Sequence, residues 1–181
     1  MTQNIRNRTA ITEPRILTLI EECVTNTKNM GFALPESLRF LERKNAKRVA
    51  GTAYTRQKVI ALSRFIYKEK DNAIKAVIYH ELAHIIAGPG VGHGPVWKNI
   101  ANKMTKVTGI KIARLYSEED MPIHAAEVGK LWKYVFRCKG CGGTVHYFKA
   151  TRFCKTYDQL LLSGEPRWTC TKCGGTFEKI K

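Results

Sequence analysis

Acidic side chains are scarce in this 181-residue chain: 15 Asp and Glu stand against 31 Lys and Arg, a formal charge of +16. That balance points to polyanions as partners, nucleic acid first and an anionic membrane surface second. Long apolar runs are missing too. No stretch approaches the roughly 18 apolar residues of a membrane span, and the opening MTQNIRNRTAITEPR has no apolar run of the roughly 7 to 15 residues found in a secretory signal. The expectation is a soluble intracellular chain whose thiols stay reduced. Repeats and low-complexity tracts are also absent, which excludes solenoids and linker-like segments. Six cysteines in a reducing compartment are then metal ligands before they are disulfides, wherever their spacing allows it.

What is there divides unevenly. Residues 128–181 carry eleven Lys/Arg against three Asp/Glu, the same net +8 that residues 1–127 reach in more than twice the length. The expected organisation is one α+β domain over 1–127 and a small basic domain over 128–181, with the boundary between Glu118 and Trp132. Thr12 reads as the cap of a first helix, with Ile16, Leu19, Ile20 and Cys23 at helical spacing and an end near Gly31. KRVAGTAYT and KVIALSRFI read as a hairpin around Arg56 and Gln57. DNAIKAVIYHELAHIIAGPG reads as a helix capped by Asp71 and stopped at Gly88-Pro89-Gly90, and Pro95 opens another that ends near Gly109.

The helix after Asp71 contains His80 and His84. Four residues apart on a helix, they lie about 40° apart in projection and one turn along, so both rings reach one ion. With Glu81 beside them they form H-E-x-x-H, in which two histidines bind Zn²⁺ and the glutamate activates water. A catalytic zinc needs a third protein ligand and one open position. His93 follows nine residues after His84, beyond a glycine-rich reversal that can bring it back over the helix. The metzincin spacing does not apply, because it requires histidine where Gly90 stands.

Cys138 and Cys141 in CKGC, and Cys170 and Cys173 in CTKC, are two C-x-x-C knuckles, each followed by two glycines. Together they can give four thiolates to one structural Zn²⁺. The 28 residues between them exceed the usual spacer of about 15 to 20, so KATRFCKTYDQLLLSGEP is expected to form an extended hairpin or loop. Cys23 and Cys154 read as free thiols. Around the knuckles lie Lys133, Arg137, Lys139, Lys149, Arg152, Lys155, Arg167 and Lys172, interleaved with Tyr134, Tyr147, Phe148, Phe153 and Trp168. Cations neutralise phosphates and aromatics stack on unpaired bases, which suits single-stranded or distorted nucleic acid. The same aromatics can instead be the core of the small domain.

HELAH, a short loop and then HGPVW resemble the SprT-like metalloprotease family, whose zinc site is an HExxH followed by a third histidine in an H-G-x-x-[WF] block. That family includes bacterial SprT proteins and the DNA-dependent protease Spartan, which degrades proteins trapped on DNA. The resemblance covers residues 12 to 115 and extends to the C-terminal cysteines, since bacterial members carry a four-cysteine zinc ribbon. It implies a mini-zincin fold, a catalytic zinc on His80, His84 and His93, catalysis by Glu81, and Trp97 as the structural aromatic of the HGxxW block. It also implies protein substrates held on DNA, single-stranded or distorted rather than regular duplex; apart from the resemblance, the chain is expected to be a monomer without membrane contacts, in the cytoplasm, at the nucleoid or in a host's cytoplasm if viral. The residues leave the oxyanion donor open between Tyr116 and His124. They also leave room for a nucleic-acid-binding adaptor with a structural HExxH zinc, and for a zinc hydrolase acting on another electrophile.

Overall fold

A computed structural model describes residues 8–46, 48–114, 116, 120–129, 131–162 and 168–181; the side chains of residues 124, 127, 128, 158, 160 and 161 fall outside that description. The chain forms two compact units, Met1–Glu127 and Val128–Lys181. Both mix helices with small sheets. No helix among the described residues is long and apolar enough to cross a membrane.

In the first unit, α1 (Pro14–Asn29) buries Ile16, Leu19, Ile20, Cys23 and Thr27, an i, i+3, i+4, i+7, i+11 stripe. Each buried Ile or Leu contributes about 1.5 to 3 kcal/mol. The N-cap is Glu13 rather than Thr12, with no side-chain cap bond, because Pro14 supplies the preset first turn. Four strands follow the order β1-β2-β4-β3: β1 (Thr9–Ala10), β2 (Arg39–Arg43), β3 (Gly51–Tyr54) and β4 (Val59–Ser63). The expected hairpin is β3 and β4, paired antiparallel from Gly51↔Leu62 to Tyr54↔Val59. β2 runs parallel to β4, pairing Arg39 with Val59 and Arg43 with Ser63. VIALS is buried at every position, as a strand flanked on both sides must be.

Over the sheet's inner face, with Ile60 and Leu62, lies α2 (Asp71–Ala87), which buries Ile74, Ala76, Val77, Ile78, Tyr79, Leu82, Ala83 and Ile85 as well as His80 and Glu81. Its N-cap is Lys70, not Asp71. Asp71 is turned away to accept from Arg15 Nε at 2.8 Å, and Arg15 also donates to the carbonyls of Tyr67 and Glu69, tying α1 to the start of α2. α3 (Pro95–Thr108) packs Trp97, Ile100, Ala101 and Met104 inward. α4 (Pro122–Gly129) follows.

The second unit has a three-stranded antiparallel sheet, β6-β5-β7, made from β5 (Tyr134–Cys138), β6 (Thr144–Tyr147) and β7 (Phe177–Lys179). Within the segment expected as a hairpin or loop, residues 152–162 form the helix α5 (Arg152–Leu162) instead, and residues 163–166 lie outside the described residues. Thr151 Oγ1 accepts from the Cys154 N–H at 3.3 Å, an N-cap bond to the third helical residue. Phe153, Cys154 and Tyr157 then form one apolar face, with the Phe153 and Tyr157 rings 4.5 and 4.8 Å from that of Phe136. The helix sets this face over Phe136 of β5, where Val145, Tyr147 and Phe177 also pack.

Candidate metal centres

His80 and His84 project from one face of α2, and the reversal before α3 returns His93 to them. The Nε2 atom of His93 lies 3.1 Å from Nε2 of His80 and 3.1 Å from Nε2 of His84. Nitrogens about 2.0 to 2.1 Å from one tetrahedral ion would be about 3.3 Å apart, so the three converge as Zn²⁺ ligands do. The His80 Nδ1–H donates to the Ala113 carbonyl at 2.8 Å, which leaves the Nε2 lone pair facing the ion position. Burial, the leading cause, lowers His80 and His84 to about 4 and also lowers His93. All three rings are therefore neutral near pH 7, the form that ligates metal. Trp97 lies against all three, with ring centroids 4.8, 5.5 and 4.7 Å from His80, His84 and His93, and its indole N–H reaches the His80 carbonyl at 3.4 Å.

Glu81 is 6% exposed. Burial pushes its carboxyl up to about 8, opposed by a hydrogen bond from the Ala53 backbone. A divalent cation held by the adjacent histidines would favour the carboxylate by direct attraction. Space for this side chain comes from Gly51 on the edge strand β3. A Cβ there would lie 2.8 Å from Glu81 Oε1, 2.9 Å from Glu81 Cγ and 3.0 Å from Val77 Cγ1. Gly51→Ala is therefore expected to cost about 1 to 3 kcal/mol in denaturant unfolding, the range for overpacking. In a Glu81→Ala background most of that cost should vanish; an undiminished cost would place the clash elsewhere.

Tyr116 donates its hydroxyl to the Ala76 carbonyl at 2.8 Å, with its ring 6.2 Å from His80, so this O–H is already engaged with α2. The His124 side chain lies outside the described residues. Sequence reasoning missed the Ala113 carbonyl, the Ala53 N–H and Gly51. Backbone groups carry no residue-type signal, and the two on β3 reach Glu81 only through the tertiary fold.

In the second unit, Cys138, Cys141, Cys170 and Cys173 bring four sulfurs within 4.8 Å of one another. Cys138 and Cys173 are 3.4 Å apart and Cys141 and Cys170 3.8 Å. Zn–S bonds of about 2.3 Å in a tetrahedron give S···S separations of about 3.8 Å. The two knuckles match: Gly142 N–H donates to the Cys138 carbonyl at 2.9 Å and Gly174 N–H to that of Cys170 at 2.7 Å. Both turns need φ near +70°, which glycine adopts without a Cβ clash. The Cys141 backbone N–H, with further N–H and thiol donors, draws the Cys138 thiol down, while Cys173, which shares its proton with Cys138, is pushed up. Cys23 and Cys154 are buried, and neither joins a ligand cluster among the described residues.

Lys133, Arg137, Lys139, Lys149, Arg152, Lys155 and Lys172 are exposed, while Arg167 lies outside the described residues. Arg137 pairs with Glu178 at 4.0 Å. Of the aromatics, Phe153 is buried, and Tyr134 and Tyr147 pack half-buried on the same core. These three are core rather than stacking surface. Trp168 is 42% exposed.

A family model described as "SprT-like family" matches residues 18–116, which include all three histidines and Glu81. The chain is also 26% identical over 185 aligned positions to Protein SprT of Proteus mirabilis (strain HI4320), an alignment that covers 99% of each protein.

Proposed function

Because the chain belongs to the SprT-like family, we propose that it is a zinc-dependent metalloendopeptidase of mini-zincin type that cleaves proteins bound or crosslinked to DNA. Residues 1–127 are the peptidase and 128–181 the zinc ribbon, which holds the enzyme on single-stranded or distorted DNA in the cytoplasm. The carrying observation is the convergence of three neutral imidazoles beside a buried carboxyl. A structural zinc site has no use for such a carboxyl, whose burial is costly.

Zinc, when bound, supplies Lewis-acid polarisation of the scissile carbonyl and lowers the pKa of water. Glu81 takes the proton of the attacking water and returns it to the leaving amine. Its ability to do both rests on opposing influences: burial favours the acid, while the Ala53 N–H and a neighbouring cation favour the base. His80, held by Ala113, keeps its tautomer through the cycle, and Trp97 walls the site on the α3 side.

Two predicted rates test the DNA part of this reading. A protein crosslinked to a single-stranded oligonucleotide should be cleaved at least about tenfold faster than the same protein free in solution, since tethering raises effective concentration by large factors. Equal rates would make the chain a general peptidase. A zinc-loaded chain that binds the oligonucleotide and cleaves neither substrate would be an adaptor.

A further inference from the structure

Basic charge in the first unit is concentrated in one stretch. Residues 39–70 carry ten Lys/Arg and two Glu, whereas the remainder of residues 1–127 balances ten basic against ten acidic residues. The whole net +8 of the unit therefore sits between the start of β2 and the start of α2, in β2, β3, β4, their connections and the short 3-10 turn Arg64–Lys68 that leads into α2. Both acids of the stretch are buried, Glu42 at 7% and Glu69 at 2% exposure. Among the described residues, every exposed charged side chain from 39 to 70 is positive. Charge that serves solubility alone is interspersed with the opposite sign.

Register places these cations at the two ends of the sheet. Arg39 pairs with Val59 and donates its N–H to the Lys58 carbonyl at 3.0 Å, so Arg39, Arg56 and Lys58 share the end where β4 starts. Arg43 pairs with Ser63, whose N–H reaches the Ala50 carbonyl at 2.8 Å, so Lys44, Arg48 and Arg64 share the other. Five residues of β4 separate the two groups by about 13 Å, about four base pairs of axial rise. β3 also has two faces. Gly51 and Ala53 meet Glu81, whereas Thr52 and Tyr54 accept hydrogen bonds from Arg43 at 3.1 Å and Arg8 at 3.0 Å.

We infer that this sheet surface is a second nucleic-acid contact, made to backbone phosphates by Arg39, Arg56 and Lys58 at one end and Lys44, Arg48 and Arg64 at the other. The inference rests on DNA being the partner under the proposed function and adds that the peptidase unit itself reads the backbone. The contact is made at the two ends of the sheet, because Tyr54, Val59 and Ala61 on its outer face are themselves buried. An anionic membrane fits less well, because surface binding there draws on an amphipathic helix and this stretch is mainly strand and turn.

The test uses full-length Glu81→Gln, so that failure of the peptidase reading cannot enter. Fluorescence anisotropy with a 20-base-pair duplex and a 20-nucleotide single strand is read from low to physiological salt. Arg39→Glu with Arg56→Glu and Lys58→Glu should weaken binding at least about tenfold and reduce the log–log salt slope by about 2 to 3, close to 0.9 for each phosphate no longer neutralised. Lys44→Glu with Arg64→Glu, at the opposite end, should act in the same direction. Lys98→Glu with Lys106→Glu, on α3 and outside the stretch, should leave the slope unchanged. Unchanged binding in both sheet variants would overturn the inference, as would an equal loss in the α3 control. It would also fall if the sheet variants lost binding to phosphatidylserine vesicles while keeping their DNA affinity.

Discussion

Glu81→Gln is expected to retain zinc at both centres and to lose peptide-bond turnover by about three orders of magnitude, within the range of about 10² to 10⁴ for removing a general base. The substitution keeps the side-chain shape beside Gly51 and an oxygen to accept from the Ala53 N–H, so the fold has no reason to change. It even removes a liability in the metal-free chain. The carboxyl is raised from its ordinary value to about 8, so the folded state holds a proton that the unfolded state has already released above about pH 4.5. Glu81 therefore contributes a loss of stability as pH rises from about 4.5 to 8, opposed below about pH 6.5 by His80, His84 and His93, whose lowered values favour the folded state as pH rises; the stability gap by which Glu81→Gln exceeds the parent should widen across that range. Metal-free denaturant melts at pH 5 and pH 8 check the sign. His93→Ala should behave differently, losing zinc and turnover together because it removes a ligand. Turnover of Glu81→Gln close to that of the parent would assign the proton transfers to another group.

Replacing Cys138 and Cys170 with Ser, one from each knuckle, should unfold the second unit while leaving the histidine centre loaded. Among the described residues the buried apolar side chains there, besides Cys138 of the cluster itself, are Phe136, Phe153, Cys154 and Tyr157, a small core for a unit of this size. A structural zinc contributes about 10 to 16 kcal/mol in small domains, which makes the apo unit an unfolded chain. The near-UV signal of the aromatic cluster should disappear, and bound zinc should fall from two ions per chain to one. A variant that kept the cluster's signal with one zinc would show that α5 and the three strands suffice on their own.

The local parts of this architecture were legible in the sequence, and the non-local parts were not. His80, Glu81 and His84 share one helix, so their spacing alone places them together, and each cysteine knuckle is four residues long. β2 escaped notice because its pairing with β4 is parallel and crosses the intervening strand, and because RFLER carries three charged residues in five. α5 was missed for a different reason. Counting the distance between knuckles suggested a loop, although Thr151 followed by Phe153, Cys154 and Tyr157 already carried a cap and an apolar face. The support given to Glu81 by Gly51 and Ala53 was unreadable, since it arises only when β3 is laid against α2.

Zinc readdition to the stripped full-length chain tests the central claim most directly. The four-cysteine centre should fill with the first equivalent and restore the near-UV signal of the second unit without cleavage. Cleavage of a DNA-crosslinked protein should then rise in proportion to the second equivalent, as the His80, His84 and His93 centre fills, and should stay at background in Glu81→Gln. Full activity at one equivalent, or none at two, would contradict the account.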